Sequence, residues 1–406
     1  MFDWDLRELL SPPGWDVFLT DHWQQQPLHV PGEGSNRFAP LVTHADVDRI
    51  LAAQAGKADF PISVIGSHQG KGVPADKRSY DRTHWTPEHV AERVREGATV
   101  RIGNMARYAP EVARLVRAFE TVIHTDIAVN LYRTPASSRA FDAHFDNHDV
   151  FIIQLDGSKT WRLYDPPRDL PMEVTFPGRL SLMQPKLPFG EMFLPSRPAV
   201  ELRDEIRMRP GDLLYIPRGF THQVFTEDED SLHLTVAAPV ITWYEVAAHA
   251  LIEAAAESRA LRTALPADFA TAGIDAASQV PAEIAAAVAT HLTADRIEAS
   301  FDELAVRFVN SRQPLVEPGE ADPVSLDSVL RIAQPMVYTT QRVTTHIYLL
   351  FRGAFVPVPL RCESMLDHML TESEFRVGDL PTWMDDKSRV LLCQVLVDKG
   401  FLEPVP

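Results

Sequence analysis

His144-Phe145-Asp146-Asn147-His148-Asp149-Val150-Phe151-Ile152-Ile153-Gln154-Leu155-Asp156-Gly157-Ser158-Lys159-Thr160-Trp161 is the stretch whose reading decides the fold. Residues 149–155 form a short β-branched and aromatic run, Asp156-Gly157 supplies a turn, and residues 160–164 form a second run. The same texture precedes the stretch at 126–132 and follows it at 213–216 and 232–236. Several short strands at close spacing predict an all-β sandwich or barrel. On a strand, side chains two positions apart share a face, so His144 and Asp146 would both point into that barrel.

A lone His-x-Asp is weak evidence, but a second element strengthens it. Gly211-Asp212 reads as a turn, 213–216 as a buried strand and Pro217-Arg218-Gly219 as another turn, delivering His222 at the start of the next strand. His222 lies 222 − 146 = 76 residues after Asp146. In a double-stranded β-helix that strand runs beside the one carrying His144 and Asp146. Two imidazoles and one carboxylate are the donor set of a facial triad, which holds a non-haem Fe(II) and leaves positions open for co-substrate and oxygen.

Working outward, residues 1–123 read as mixed and mostly helical. Thr43 and Asp46 have capping-box spacing ahead of Val47, Ile50 and Leu51, and Pro87 and Pro110 each open a further amphipathic helix. Prolines are dense between 165 and 200, predicting loops and edge strands suited to a substrate-facing rim, with residues 60–85 as its other part. Past Pro239 the chain turns Ala-rich. Helices are expected over 246–265 and over 281–309, the latter broken near Thr293. Their apolar stripes are Ala250, Ile252 and Ala256, and Ile284, Val288 and Leu292. A loop over 314–323 leads to a compact end with helices over 364–370 and 387–399.

The chain has 406 residues, 45% of them hydrophobic, enough for two or three domains. Its formal net charge of −17 argues against direct nucleic-acid binding, which depends on neutralising phosphates. The two cysteines, Cys362 and Cys393, sit in apolar surroundings and read as buried free thiols of a reducing compartment. With acids where a signal peptide needs basic residues, and no long apolar run, the expectation is a soluble cytoplasmic protein without a membrane span.

Residues 130–161 and 211–224 closely resemble the cupin-like JmjC ribosomal oxygenases, Fe(II)- and 2-oxoglutarate-dependent protein hydroxylases. The likeness is strongest over 124–240 and looser at Trp23-Gln24-Gln25-Gln26-Pro27-Leu28. It implies an α+β protein in four parts. These are a mostly helical N-terminal part of the JmjC domain (1–123), a double-stranded β-helix (jelly-roll) catalytic core (124–240), a helical dimerisation region (241–315) and a winged-helix-like C-terminal domain (316–406). It implies His144, Asp146 and His222 as iron ligands, and Lys159 as the anchor for the distal carboxylate of 2-oxoglutarate. Asn130 and Tyr132 would line the co-substrate and substrate pocket. It further implies a homodimer that hydroxylates Arg or His of a protein, with ribosomal proteins as the expected substrates. The co-substrate would be decarboxylated to succinate.

Read as residues alone, several of these positions stay open. Lys159 is either a cation awaiting an anion inside the barrel or a solvated lysine of a hairpin turn. Asn130 and Tyr132 are either pocket or ordinary strand residues. His148 belongs at the rim or on the surface, not on the metal, which must keep open positions. His233 either helps hold the co-substrate or is structural, and Arg218 reads as a surface residue. The alternatives are the same chemistry on a small molecule or natural-product peptide, a cupin of another enzyme class without 2-oxoglutarate, or a non-enzymatic binding or regulatory module.

Overall fold

The computed structural model describes residues 4–65, 85–167, 169–171, 201–268, 271, 279–312, 322–334, 336–381 and 383–405. The chain divides into two units, residues 1–240 and 241–406. Most of the proline-dense rim (172–200), of the 60–85 segment and of the 314–323 loop lies outside the described residues.

The first unit is built on two sheets. The larger has seven strands in the order β1 (Leu28–Val30), β8 (Leu213–Ile216), β5 (Asp149–Gly157), β10 (Ser231–Ala238), β4 (Ala128–Thr134), β3 (Thr99–Ile102) and β2 (Ile62–Ile65), every pairing antiparallel. The smaller has the order β7 (Leu202–Met208), β6 (Lys159–Tyr164) and β9 (Thr221–Phe225). The segment around His144 joins its edge through one antiparallel bridge to His222. Those four segments face β4, β10, β5 and β8, giving the eight-segment jelly roll of a double-stranded β-helix.

Parity explains why the strands read as continuous apolar runs. Val150 and Ile152 of β5 and Leu214 and Ile216 of β8 pack inside the barrel with Trp161, Leu163 and Met208. The intervening Phe151, Ile153, Leu213 and Tyr215 face outward into the main core. A sheet covered on both faces carries hydrophobic residues at successive positions. The outer cover includes the helix Pro110–Ile123, which turns Val112, Leu115 and Phe119 into that core. The predicted capping box is present: Thr43 opens the helix His44–Gln54 with Asp46 reciprocating.

The Asp156-Gly157 turn does not make a hairpin. β5 and β6 belong to different sheets, so the chain crosses the barrel wall there. Gly157 has φ +60°, and a Cβ at this position would lie 1.7 Å from the Asp230 carbonyl oxygen, so only glycine fits the crossing. Residues 142–147 also differ from the expected regular strand, forming an extended loop pinned by the single bridge at His144.

In the second unit, Trp243–Glu257 begins with a capping box of Thr242 and Glu245. Val280–His291 and Ala294–Ser311 follow, separated by a break at Leu292-Thr293 where Thr293 caps the second helix. The buried stripe of the first helix is Val246, His249, Ala250 and Ala254. Ile252 and Ala256 are exposed, correcting the expected stripe: two and six residues advance a helix by about 200° and about 600°, so neither shares the face of Ala250. The C-terminal part holds helices Glu363–Thr371 and Asp386–Asp398 with two three-stranded sheets. One sheet is β15 (Phe375–Arg376), β11 (Val329–Ile332) and β16 (Leu402–Pro404); the other is β12 (Tyr338–Arg342), β13 (His346–Phe351) and β14 (Ala354–Pro359). Cys362 and Cys393 are buried thiols, not joined in a disulfide. Among the described residues, no helix is long and apolar enough to cross a membrane.

Candidate active site

The barrel interior is apolar at one end and polar at the other. Beyond Val150 and Ile152, the inward positions become Asn130 and Tyr132 on β4, His233 and Thr235 on β10, and Lys159 on β6. With His144, Asp146, His148, Trp161 and His222 they line one cavity of about 290 Å³.

Backbone pairing brings the predicted donors together. His144 and His222 exchange both backbone hydrogen bonds, at 3.1 and 2.8 Å, and the Gly219 N–H donates to the Asp146 carbonyl at 2.9 Å. The imidazole centroids are 4.4 Å apart. One ligand atom from each of His144, Asp146 and His222 falls within 4.8 Å of the others. Each imidazole is also oriented. Nδ1 of His144 lies 2.9 Å from the Asp142 carbonyl oxygen, and Nδ1 of His222 lies 3.2 Å from that of Phe220. A carbonyl only accepts, so Nδ1 carries the proton in both rings and Nε2 keeps its lone pair for a metal. Burial, and then the neighbouring His144, lower the His222 pKa to about 4, which favours the neutral ring that a metal requires. The set suits a divalent metal with coordination positions left open.

Lys159 is a buried lysine, not a solvated turn residue. It is 3% exposed, and its Nζ donates to Thr134 Oγ1 at 2.9 Å. Burial alone lowers its pKa to about 7, so no countercharge supports the ammonium. Two residues along the same face, Trp161 Nε1 is buried without a partner, as is His233 Nδ1. His233 stacks on Tyr132 at 5.0 Å and meets Trp161 edge-on at 5.9 Å. Trp161 in turn lies 5.8 Å from His222. A buried ammonium without an anion, beside unpartnered ring nitrogens, fits a carboxylate-bearing ligand that would supply the missing charge and acceptors.

His148 lines the cavity but is outside the three-donor cluster. Arg218 is not on the surface: it is 7% exposed, and its backbone N–H donates to Asp149 Oδ1 at 2.9 Å. Asp149, fully buried, also accepts from Tyr215 Oη at 3.1 Å, so one carboxylate ties β5 to β8 and to the turn that delivers His222. The hydroxyl of Tyr215 accepts from the Gln24 N–H at 2.9 Å, securing the N-terminal Trp23-Gln24 segment to the same post. Arg101 was missed by the sequence reading. It sits on β3 opposite Tyr132 and lines the cavity, and only the pairing of β3 with β4 reveals it.

Residues 101–246 match the family model described as the JmjC domain. Among curated proteins, the bifunctional lysine-specific demethylase and histidyl-hydroxylase NO66 of Drosophila persimilis is 30% identical over 236 residues, 57% of this chain and 31% of that protein. The NO66 of Dictyostelium discoideum is 30% identical over 272 residues, 65% of this chain and 49% of that protein. The chain thus spans a third to a half of the length of these relatives. Among solved structures, the Escherichia coli ribosomal oxygenase YcfD aligns over 97% of this chain and 98% of its own, with TM-score 0.51 and 17% identity. A further YcfD structure, a complex with cobalt and 2-oxoglutarate, gives the same values. The resemblance to JmjC ribosomal oxygenases read from the sequence therefore holds for the domain and for the fold.

Proposed function

We propose that this chain, the bearer of a JmjC domain, is an Fe(II)- and 2-oxoglutarate-dependent oxygenase that hydroxylates an Arg or His side chain of a ribosomal protein. One observation carries the reading: three metal donors and a buried, uncompensated lysine share a single cavity. The names of the relatives and of the YcfD structures support the protein substrate. Bound together, Fe(II) and 2-oxoglutarate supply the oxygen activation that hydroxylates a C–H bond while the co-substrate becomes succinate and CO₂.

The chain's own residues bind and orient. His144, Asp146 and His222 would hold the metal, with Nδ1 of each imidazole fixed by a backbone carbonyl so that the rings do not turn. Lys159 takes the distal carboxylate, and Thr134 aims its ammonium. Trp161 and His233 offer the unpartnered ring nitrogens, while Asn130 and Tyr132 wall the side toward the substrate. Burial of Lys159, Trp161, His222 and His233 keeps water from that side of the reacting centre. Apart from His144 and Asp146, on the loop pinned by the bridge to His222, the polar roles fall on inward positions of strands, where packing holds side chains more firmly than a loop would.

The finer organisation is part of the same proposal: a mostly helical N-terminal part, a catalytic core to residue 240, a helical dimerisation region and a winged-helix-like end, in a cytoplasmic homodimer. The boundary of the two units at Val240 supports the division. Trp243, 72% exposed and stacked on the half-exposed Phe301 at 6.1 Å, supports self-association of the helical region, because large aromatics left in water mark contact surfaces. The test is intact-mass analysis of purified ribosomal proteins after incubation with the chain, Fe(II) and 2-oxoglutarate. Gain of one oxygen by one protein supports the reading; no gain by any of them, with 2-oxoglutarate still consumed, moves the substrate to small molecules.

A further inference from the structure

We infer that the helical region carries a second divalent-cation site, of the Zn²⁺ type, formed by His249, Glu253 and Glu303 and separate from the catalytic centre. His249 and Glu253 lie four residues apart on the helix Trp243–Glu257, a spacing that stacks them on one face. Glu303 comes from Ala294–Ser311, which packs against that helix and is tied to it by an ion pair of Arg296 with Glu257 at 2.6 Å. One ligand atom from each of the three falls within 4.8 Å of the others.

The histidine carries the inference beyond a pair of acids. His249 is 9% exposed, its Nδ1 is buried without a partner, and among the described residues neither ring nitrogen makes a hydrogen bond. Nε2 points at Glu303, 3.8 Å from Oε1. That separation is too long for a hydrogen bond. Two donors each about 2.1 Å from one tetrahedral Zn²⁺ lie roughly 3.4 Å apart, so the pair needs to close by only a few tenths of an ångström. Two carboxylates held this near each other repel, and a divalent cation removes the repulsion. Both are exposed, so an ion enters from solvent and keeps water on its remaining position. One imidazole with two carboxylates suits Zn²⁺ better than Mg²⁺, which prefers oxygen-only octahedral shells.

A competitor is already in place. Arg307 donates to Glu303 Oε1 through Nε at 3.0 Å and Nη2 at 2.5 Å. Its side chain is 59% exposed and is free to swing into water when a metal arrives. Removing this guanidinium should therefore tighten the site, whereas a cluster that merely forms surface ion pairs would gain nothing.

The test uses the full chain with His222→Ala, which takes away the catalytic metal position, and follows Zn²⁺ binding by equilibrium dialysis with metal analysis. One equivalent of Zn²⁺ should bind. Adding His249→Ala or Glu303→Gln should weaken it by more than roughly 10-fold, and adding Arg307→Met should strengthen it. Circular dichroism of each variant, matching the parent, shows that the loss is of a ligand and not of the fold; Glu303→Gln, at an exposed position, serves if His249→Ala unfolds. The site is overturned if His222→Ala binds no Zn²⁺, or if its bound equivalent is indifferent to both His249→Ala and Glu303→Gln. Because the readout is made without the catalytic histidine, it is independent of whether the oxygenase reading stands.

Discussion

Replacing Lys159 with methionine should stabilise the protein in the absence of co-substrate while weakening its response to 2-oxoglutarate. The lowering of the Lys159 pKa from 10.5 to about 7 is caused by burial alone. It corresponds to about 5 kcal/mol of penalty on the charged form, an upper limit on what an isosteric apolar side chain relieves. Loss of the bond to Thr134 takes back about 1 kcal/mol, leaving a gain of up to about 4 kcal/mol at about pH 6. The sign of the pH dependence follows from proton counts. Between about pH 7 and 10.5 the unfolded chain still holds the lysine proton that the folded chain has released, so wild-type stability rises with pH through this window. Methionine has no such dependence, and the advantage of the variant should shrink toward zero by about pH 10. Urea unfolding of both proteins at about pH 6 and about pH 9.5 measures it, the other titrating groups being common to both. Adding 2-oxoglutarate at the lower pH should raise the wild-type midpoint more than that of the variant. Equal stabilities at pH 6, or an advantage that does not change with pH, would refute the view that Lys159 is buried without a countercharge.

Two further substitutions test how the site is held. Gly157→Ala puts a Cβ 1.7 Å from the Asp230 carbonyl oxygen at φ +60°, and should cost more than about 2 kcal/mol in urea unfolding; an unchanged midpoint would contradict the crossing between sheets. Asp149→Ala leaves the Arg218 N–H and the Tyr215 hydroxyl without their buried acceptor and should cost about 2–4 kcal/mol. Asp149→Asn, which keeps one carbonyl oxygen, should recover part of that, and a full loss would show that the charge itself is required.

The proposed metal donors His144, Asp146 and His222 stand out in the sequence because their chemistry is sparse. Few residue types donate to a metal, and the turn-strand-turn run before His222 implies a neighbour for His144 that the backbone bridge supplies. The core strands were legible for a related reason: burial on both faces leaves an unbroken apolar run. β7 was not, because Leu202–Met208 is mostly exposed and carries charges in place of an alternating pattern. Strands β1, β2 and β3 are three or four residues long and gain their identity only by pairing with the larger sheet, which is also why Arg101 escaped notice. A usable signal was passed over in the C-terminal unit. Arg352-Gly353 joins β13 to β14 with positive φ at both positions, the geometry of a two-residue hairpin turn, between runs of β-forming residues. Arg218 was misread because Pro-Arg-Gly is ordinarily a surface turn; here Asp149 draws its backbone inward.

The most direct test of the central claim needs no substrate. Under anaerobic conditions, 2-oxoglutarate is titrated into the Fe(II)-loaded chain while the visible charge-transfer absorption of a 2-oxo acid chelated to Fe(II) is followed. A saturable band is expected in the wild type, none in His222→Ala, and in Lys159→Met a band that appears only at much higher 2-oxoglutarate. No band in the wild type, or one undiminished by His222→Ala, would contradict the claim.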